Sequence, residues 1–219
     1  VNIDDEDSLA PCLENGSSKK ALDIAVIRLP RISNFTDFSL LDEHPAMGVR
    51  YVQSARELGS PDLVILPGTK STLSDLLWMR QSGLEAAVCK LAHAGIPVLG
   101  VCGGYQMLGE TLSDPHGTEG GGQMRGMGLL PIDTVFSDRK TRTRMQAKVL
   151  APEFSGAMLS GYEIHTGKTT VRGDAFCLLE NGQPEGCVSG NVFGTYLHGL
   201  FDTGILTQRL AEYLCRRKG

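Results

Sequence analysis

At 219 residues with a formal net charge of −4 at pH 7, the chain has length for one large α/β domain and is too acidic for a general nucleic-acid binder. Hydrophobic residues make up 41% and charged residues 21%, an ordinary globular balance. No apolar run reaches the roughly 18 residues of a membrane span, and no signal-peptide pattern opens the chain. The six cysteines contain no C-x-x-C, which is free-thiol usage in a reducing compartment. The first residue is Val rather than Met, as in a processed chain or a piece of something longer.

Residues 1–20 carry Asp4, Asp5, Glu6 and Asp7, then Asn15-Gly16-Ser17-Ser18-Lys19-Lys20. Such a composition buries little apolar surface and reads as a linker or tail. The run 22–27 predicts the first central strand. Pro30 stops it, and a polar-aromatic loop follows with a short helix starting near Asn34. Residues 49–52 and 62–66 predict the second and third strands. The third ends in Pro67-Gly68-Thr69, after which Ser71 or Thr72 can cap an apolar-periodic helix through Leu73, Leu76, Leu77 and Arg80. A helix over 84–94 stops at Gly95, and 96–101 is a continuous apolar run that suits a strand buried on both faces. Strands alternating with helices at this spacing predict a doubly wound, mostly parallel sheet with flanking helices. Its site belongs at the carboxyl ends of the strands.

Beyond residue 111 the pattern changes to short strands broken by Gly and Pro. Residues 117–128 hold six glycines in 12 residues and read as a flexible loop or hairpin. The basic run from Arg139 to Arg144 reads as a solvated hairpin tip. Residues 162–165 and 192–198 read as strands ending in His165 and His198, and 203–217 as a packing helix.

The strand over 96–101 runs directly into Cys102, and Gly103 and Gly104 follow. Glycines there let the backbone turn sharply without crowding the sulfur, the logic of a nucleophile elbow with Cys in place of Ser. A cysteine at such a turn stands at a helix N-terminus, which favours its thiolate. A buried structural cysteine beside a helix-packing Gly pair would give the same pattern. His198, at a strand end, is the candidate base. The 67–69 turn and Gly103 can each offer backbone N–H groups, so Gly68 and Gly103 are candidate oxyanion-hole donors. His44, His93, His116 and His165 lack metal-ligand spacing, and no metal site is expected.

Leu66-Pro67-Gly68 together with Gly100-Val101-Cys102-Gly103-Gly104-Tyr105-Gln106 resembles the paired signature of class I, triad-type glutamine amidotransferase domains. The likeness narrows at Arg28-Leu29-Pro30-Arg31-Ile32-Ser33-Asn34-Phe35-Thr36-Asp37-Phe38, at Gly161-Tyr162-Glu163-Ile164-His165 and at Thr195-Tyr196-Leu197-His198-Gly199-Leu200-Phe201. These stretches resemble the branch that forms the C-terminal half of cobyric acid synthases. The resemblance implies a flavodoxin-like fold over 21–219, with 1–20 as the linker from an upstream synthetase domain of the same polypeptide. It implies Cys102 as nucleophile and His198 as base, hydrolysing glutamine through a thioester, with Gln106, Thr69 and His165 touching the substrate.

The family's usual His-x-Glu is broken here, because Gly199 and Leu200 follow His198. Orientation of the imidazole must then come from elsewhere. Glu163 is the first candidate acid and Asp202 the second. Contact with the synthetase domain is the other source, and would leave the isolated chain slow. The resemblance implies no cofactor in this chain. ATP and Mg²⁺ belong to the upstream domain, which binds the corrinoid and amidates adenosylcobyrinic acid a,c-diamide. No G-x-x-x-x-G-K-[ST] occurs here. A cytoplasmic location without nucleic-acid or membrane partners is expected. The same residues leave open the amidotransferase domain of cobyrinic acid a,c-diamide synthase or of a cell-wall enzyme, a flavodoxin-like cysteine hydrolase, and a docking domain without activity.

Overall fold

A computed structural model of the protein describes residues 20–218. All of the expected linker except Lys20 lies outside the described residues. β1 (Leu22–Ile27) leads into a short β2 (Ile32–Ser33), a 3-10 turn over Phe35–Phe38 and α1 (Ser39–Glu43). β3 (Met47–Val52), α2 (Ala55–Leu58), β4 (Leu63–Leu66) and β5 (Gly68–Thr69) follow. Then come α3 (Thr72–Gln81), α4 (Leu84–His93), β6 (Val98–Val101) and α5 (Gly103–Met107). β4 and β6 are buried at every residue and β1 at all but Asp23, as strands covered on both faces must be.

The second half is strand-rich, running through β7 (Thr111–Asp114), β8 (Gly122–Arg125), β9 (Ile132–Val149), β10 (Met158–Val171) and β11 (Cys177–Leu179). β12 (Pro184–Glu185), β13 (Cys187–Ser189), β14 (Val192–Thr195), β15 (Leu197–His198) and α6 (Ile205–Lys218) complete it. The main sheet has the order β13-β14-β6-β4-β1-β3, parallel throughout except at the β13 edge. Without β13 this is the flavodoxin-like strand order, as expected. Alternate residues of each strand serve two cores. Ile24, Val26, Ile65 and Leu99 pack with Leu206, Leu210 and Leu214 of α6. Ala25, Ile27, Val64 and Val98 pack with Leu73, Leu76, Met79 and Val88 of α3 and α4. Leu77, expected on the apolar stripe of α3, is 42% exposed, and Met79 fills the core face instead.

The short strands expected beyond residue 111 form a layer of their own, a second sheet β12-β11-β9-β10-β15 with β7 and β8 attached. Its centre is the long antiparallel pair of β9 and β10, in which Arg144 lies opposite Tyr162. The basic run is therefore mid-strand and not a hairpin tip, since the chain reverses only at 150–157. Alternating Arg and Thr satisfy the period of a strand, which a charge-run reading overlooks. Nor does β10 stop at His165: it continues to Val171 across a bulge between Thr166 and Lys168. The glycine-rich 117–128 segment contributes β8, paired with β7.

The chain passes from β14 of the main sheet, through Tyr196, into β15 of the second, where His198 pairs with Tyr162. The end of β6 and the end of β15 thus meet where the two sheets join.

Candidate active site

Cys102 follows the buried end of β6 with φ 52° and ψ −111°. Among the described residues only Asn34 shares a positive φ without being glycine. A conformation so unfavourable for an L-residue persists only where its surroundings fix it. Cys102 N donates to Thr195 O at 2.9 Å, Gly104 N to Pro67 O at 3.1 Å and Gln106 N to Cys102 O at 3.1 Å. The two glycines are required by close approach. A Cβ on Gly104 would stand 2.0 Å from Leu66 O, and one on Gly103 would stand 2.6 Å from Thr69 Cγ2 and 3.2 Å from Thr69 N. Gly104→Ala should therefore cost about 1–3 kcal/mol, read as a lowered denaturant midpoint, and it should displace Cys102. The same closeness sets the Gly103 backbone against Thr69 N, whereas the N–H of Gly68, the expected oxyanion donor, is paired with Ser33 in the β2–β5 ladder. α5 is only five residues long, so the helix dipole expected to favour the thiolate is small.

His198 is 2% exposed, and its Nδ1 lies 2.8 Å from Asp37 Oδ2. Its ring stacks on Tyr162 with centroids 5.3 Å apart, and a Cβ on Gly68 would lie 3.4 Å from its Cε1. Burial disfavours the imidazolium, but hydrogen bonds to Asp37 and to Cys102, with the charges of both, prevail and push the pKa up to about 9. Asp37 is held in place by its own loop. Asn34 takes the left-handed turn that Asn tolerates, and its Nδ2 donates to Tyr162 Oη at 2.8 Å. Asp37 N donates back to Asn34 O at 3.1 Å.

The carboxylate against His198 is thus Asp37, which corrects the expectation for Glu163. Neighbouring residues of a strand face opposite ways, so Tyr162, stacked on His198, turns Glu163 to the other side of the sheet. There Glu163 Oε2 lies 3.9 Å from His165 Nε2. Asp202, the second candidate, faces Gly199 instead.

A cavity of about 790 Å³ opens over Cys102, and its walls include His198, Gln106, Lys70, Glu119 and Arg144. Thr69, Gly103 and His165 also line it. The expected substrate contacts are partly engaged within the protein. Gln106 is 3% exposed; its Oε1 accepts from Thr72 Oγ1 at 3.0 Å, and its Nε2 donates to Thr166 O at 3.0 Å and Tyr196 Oη at 3.1 Å. Thr69 Oγ1 donates to Asp75 Oδ2 at 2.6 Å. His165 stacks on Tyr196, with centroids 3.6 Å apart, and its Nδ1 is buried without a partner.

A strained cysteine at the carboxyl end of a central parallel strand, an imidazole held between it and a carboxylate, and glycine backbone on the facing turn are the parts of a cysteine-dependent acyl-transfer site. Residues 23–204 match the CobB/CobQ-like glutamine amidotransferase domain, and the chain belongs to that family. It is 48% identical over 233 residues to a cobyric acid synthase of Ruminiclostridium cellulolyticum, covering 100% of this chain and 45% of that protein. A cobyric acid synthase of Yersinia enterocolitica is 44% identical, with coverage of 100% and 46%. The chain spans about half the length of these curated relatives. In fold it is similar to PurLQS from Thermotoga maritima, with a TM-score of 0.66 and 16% identity over 91% of this chain and 100% of that one. A glutamine amidotransferase of the same organism gives a TM-score of 0.60 at 14% identity, covering 90% of this chain and 98% of that one.

Proposed function

We propose that this chain is the glutamine-hydrolysing half of a cobyric acid synthase, with Cys102 and His198 as its catalytic residues and Asp37 as the residue that orients His198. The observation that carries this is the Cys102–His198–Asp37 chain of contacts at one cavity. The Cys102 thiolate attacks the side-chain carboxamide carbon, and the N–H groups of Gly103 and of Thr69 facing it receive the oxyanion. The imidazolium of His198 gives its proton to the departing amine, which leaves as ammonia with a glutamyl thioester on Cys102. Water, losing a proton to the now neutral His198, attacks the thioester and releases glutamate and the thiol.

The ammonia would serve an upstream synthetase half of the same polypeptide, with ATP and Mg²⁺ bound there, for amidation of adenosylcobyrinic acid a,c-diamide. Identity along the whole chain to proteins about twice its length supports this role. No helix among the described residues is long and apolar enough to cross a membrane, and the five described cysteines are free, which suits a cytoplasmic enzyme. The test is His198→Ala in the chain joined to its upstream half. Glutamine-dependent amidation should disappear while synthesis from supplied ammonia continues. Loss of both would overturn the assignment of His198 to glutamine hydrolysis.

A further inference from the structure

Free glutamine presents a carboxamide at one end and an α-carboxylate and α-ammonium at the other. Arg144 on the cavity wall suits the carboxylate. Among the described residues lining the cavity, Glu119 is the one acid. It comes from the loop between β7 and β8, and that loop is shaped by a buried carboxylate: Asp114 accepts from the N–H groups of Thr118, Glu119 and Gly121 at 2.9, 2.6 and 2.7 Å. Glu119 lies near the start of α3, where Leu73, Thr72 and Ser71 favour its ionised form. Its Oε2 is nonetheless buried with no hydrogen-bond partner. Burial raises its pKa. A residue of the cavity wall thus keeps one carboxylate oxygen without a partner, which calls for an explanation.

Thr72, close to Glu119, is bonded to Gln106 and lies beside Gly103, next to the nucleophile. The geometry points to Glu119 as the group that binds the α-ammonium of the substrate, so that the site takes free α-amino acid carboxamides and rejects carboxamides without the amine. This rests on the glutamine-hydrolysing reading above.

The test compares wild type and Glu119→Gln in the same polypeptide on L-glutamine and on glutaramic acid, the same molecule without its amino group. The variant keeps the side chain's shape, and the loop that carries it is still held by Asp114. Glu119→Gln should raise the KM for glutamine about 10- to 100-fold with kcat nearly unchanged. Wild type should hydrolyse glutaramic acid poorly, and the variant should be no worse on it. Equal losses on both substrates, or no change on glutamine, overturn the proposal. A wild type that releases no glutamate from glutamine overturns the underlying reading, and this proposal with it.

Discussion

Changing Cys102 to alanine should lower glutamine hydrolysis by about 10⁴- to 10⁶-fold, leaving what binding and the oxyanion donors sustain without a nucleophile. A chloroketone analogue of glutamine should alkylate Cys102 ahead of the others, as read by peptide mass mapping. Among the described cysteines Cys102 alone lines the cavity. Burial holds the Cys187 thiol up at about 11, raises Cys177 further and raises Cys89 as well, so these three present little thiolate near neutral pH. Cys215 is exposed on α6 and marks non-specific labelling. Earlier labelling of Cys89 or Cys177, or retained hydrolysis in Cys102→Ala, would exclude Cys102 as the nucleophile.

Much of the main sheet was legible because strands buried on both faces leave continuous apolar runs, and the elbow because glycine is the only residue that fits against Leu66 O. The second sheet was not, since the middle of β9 alternates Arg with Thr and neither β9 nor β10 presents a long apolar run to find. The gap in the site has a similar cause. The 28–38 stretch stood out as family-like, yet nothing within it says that Asp37 meets a histidine 161 positions later. A carboxylate two residues after the histidine can be seen in sequence; one delivered by a left-handed turn at Asn34 needs the fold. The motif that holds Glu163 marks the right strand, and the two-residue period of β10 argues against Glu163 itself. Glu119 carried no sequence signal beyond a glycine-rich loop.

Asp37→Asn should lower kcat by about 10²- to 10⁴-fold with the KM for glutamine close to wild type. The carboxylate accepts a hydrogen bond from Nδ1–H and so leaves Nε2 to serve the sulfur and the leaving amine. An asparagine of the same shape can present its own N–H to Nδ1 and hold the wrong tautomer. Stability gives a second readout. His198 has a folded pKa of about 9, above its usual 6.5, so its contribution is complete below pH 6.5 and is lost as pH rises to about 9. Its size is roughly 3 kcal/mol, shared between Asp37 and Cys102. Denaturant midpoints of wild type should fall through that window. Those of Asp37→Asn should be flatter, because burial then pushes the imidazole toward neutrality with less to oppose it. Glu163→Gln should change neither turnover nor the pH slope. Because Asp37 belongs to this chain, orientation of His198 needs no partner, and the Asp37→Asn defect should be the same in the isolated chain and in the chain joined to its upstream half. Wild-type turnover in Asp37→Asn, or a defect seen only with the upstream half present, would return the orienting role to the partner domain.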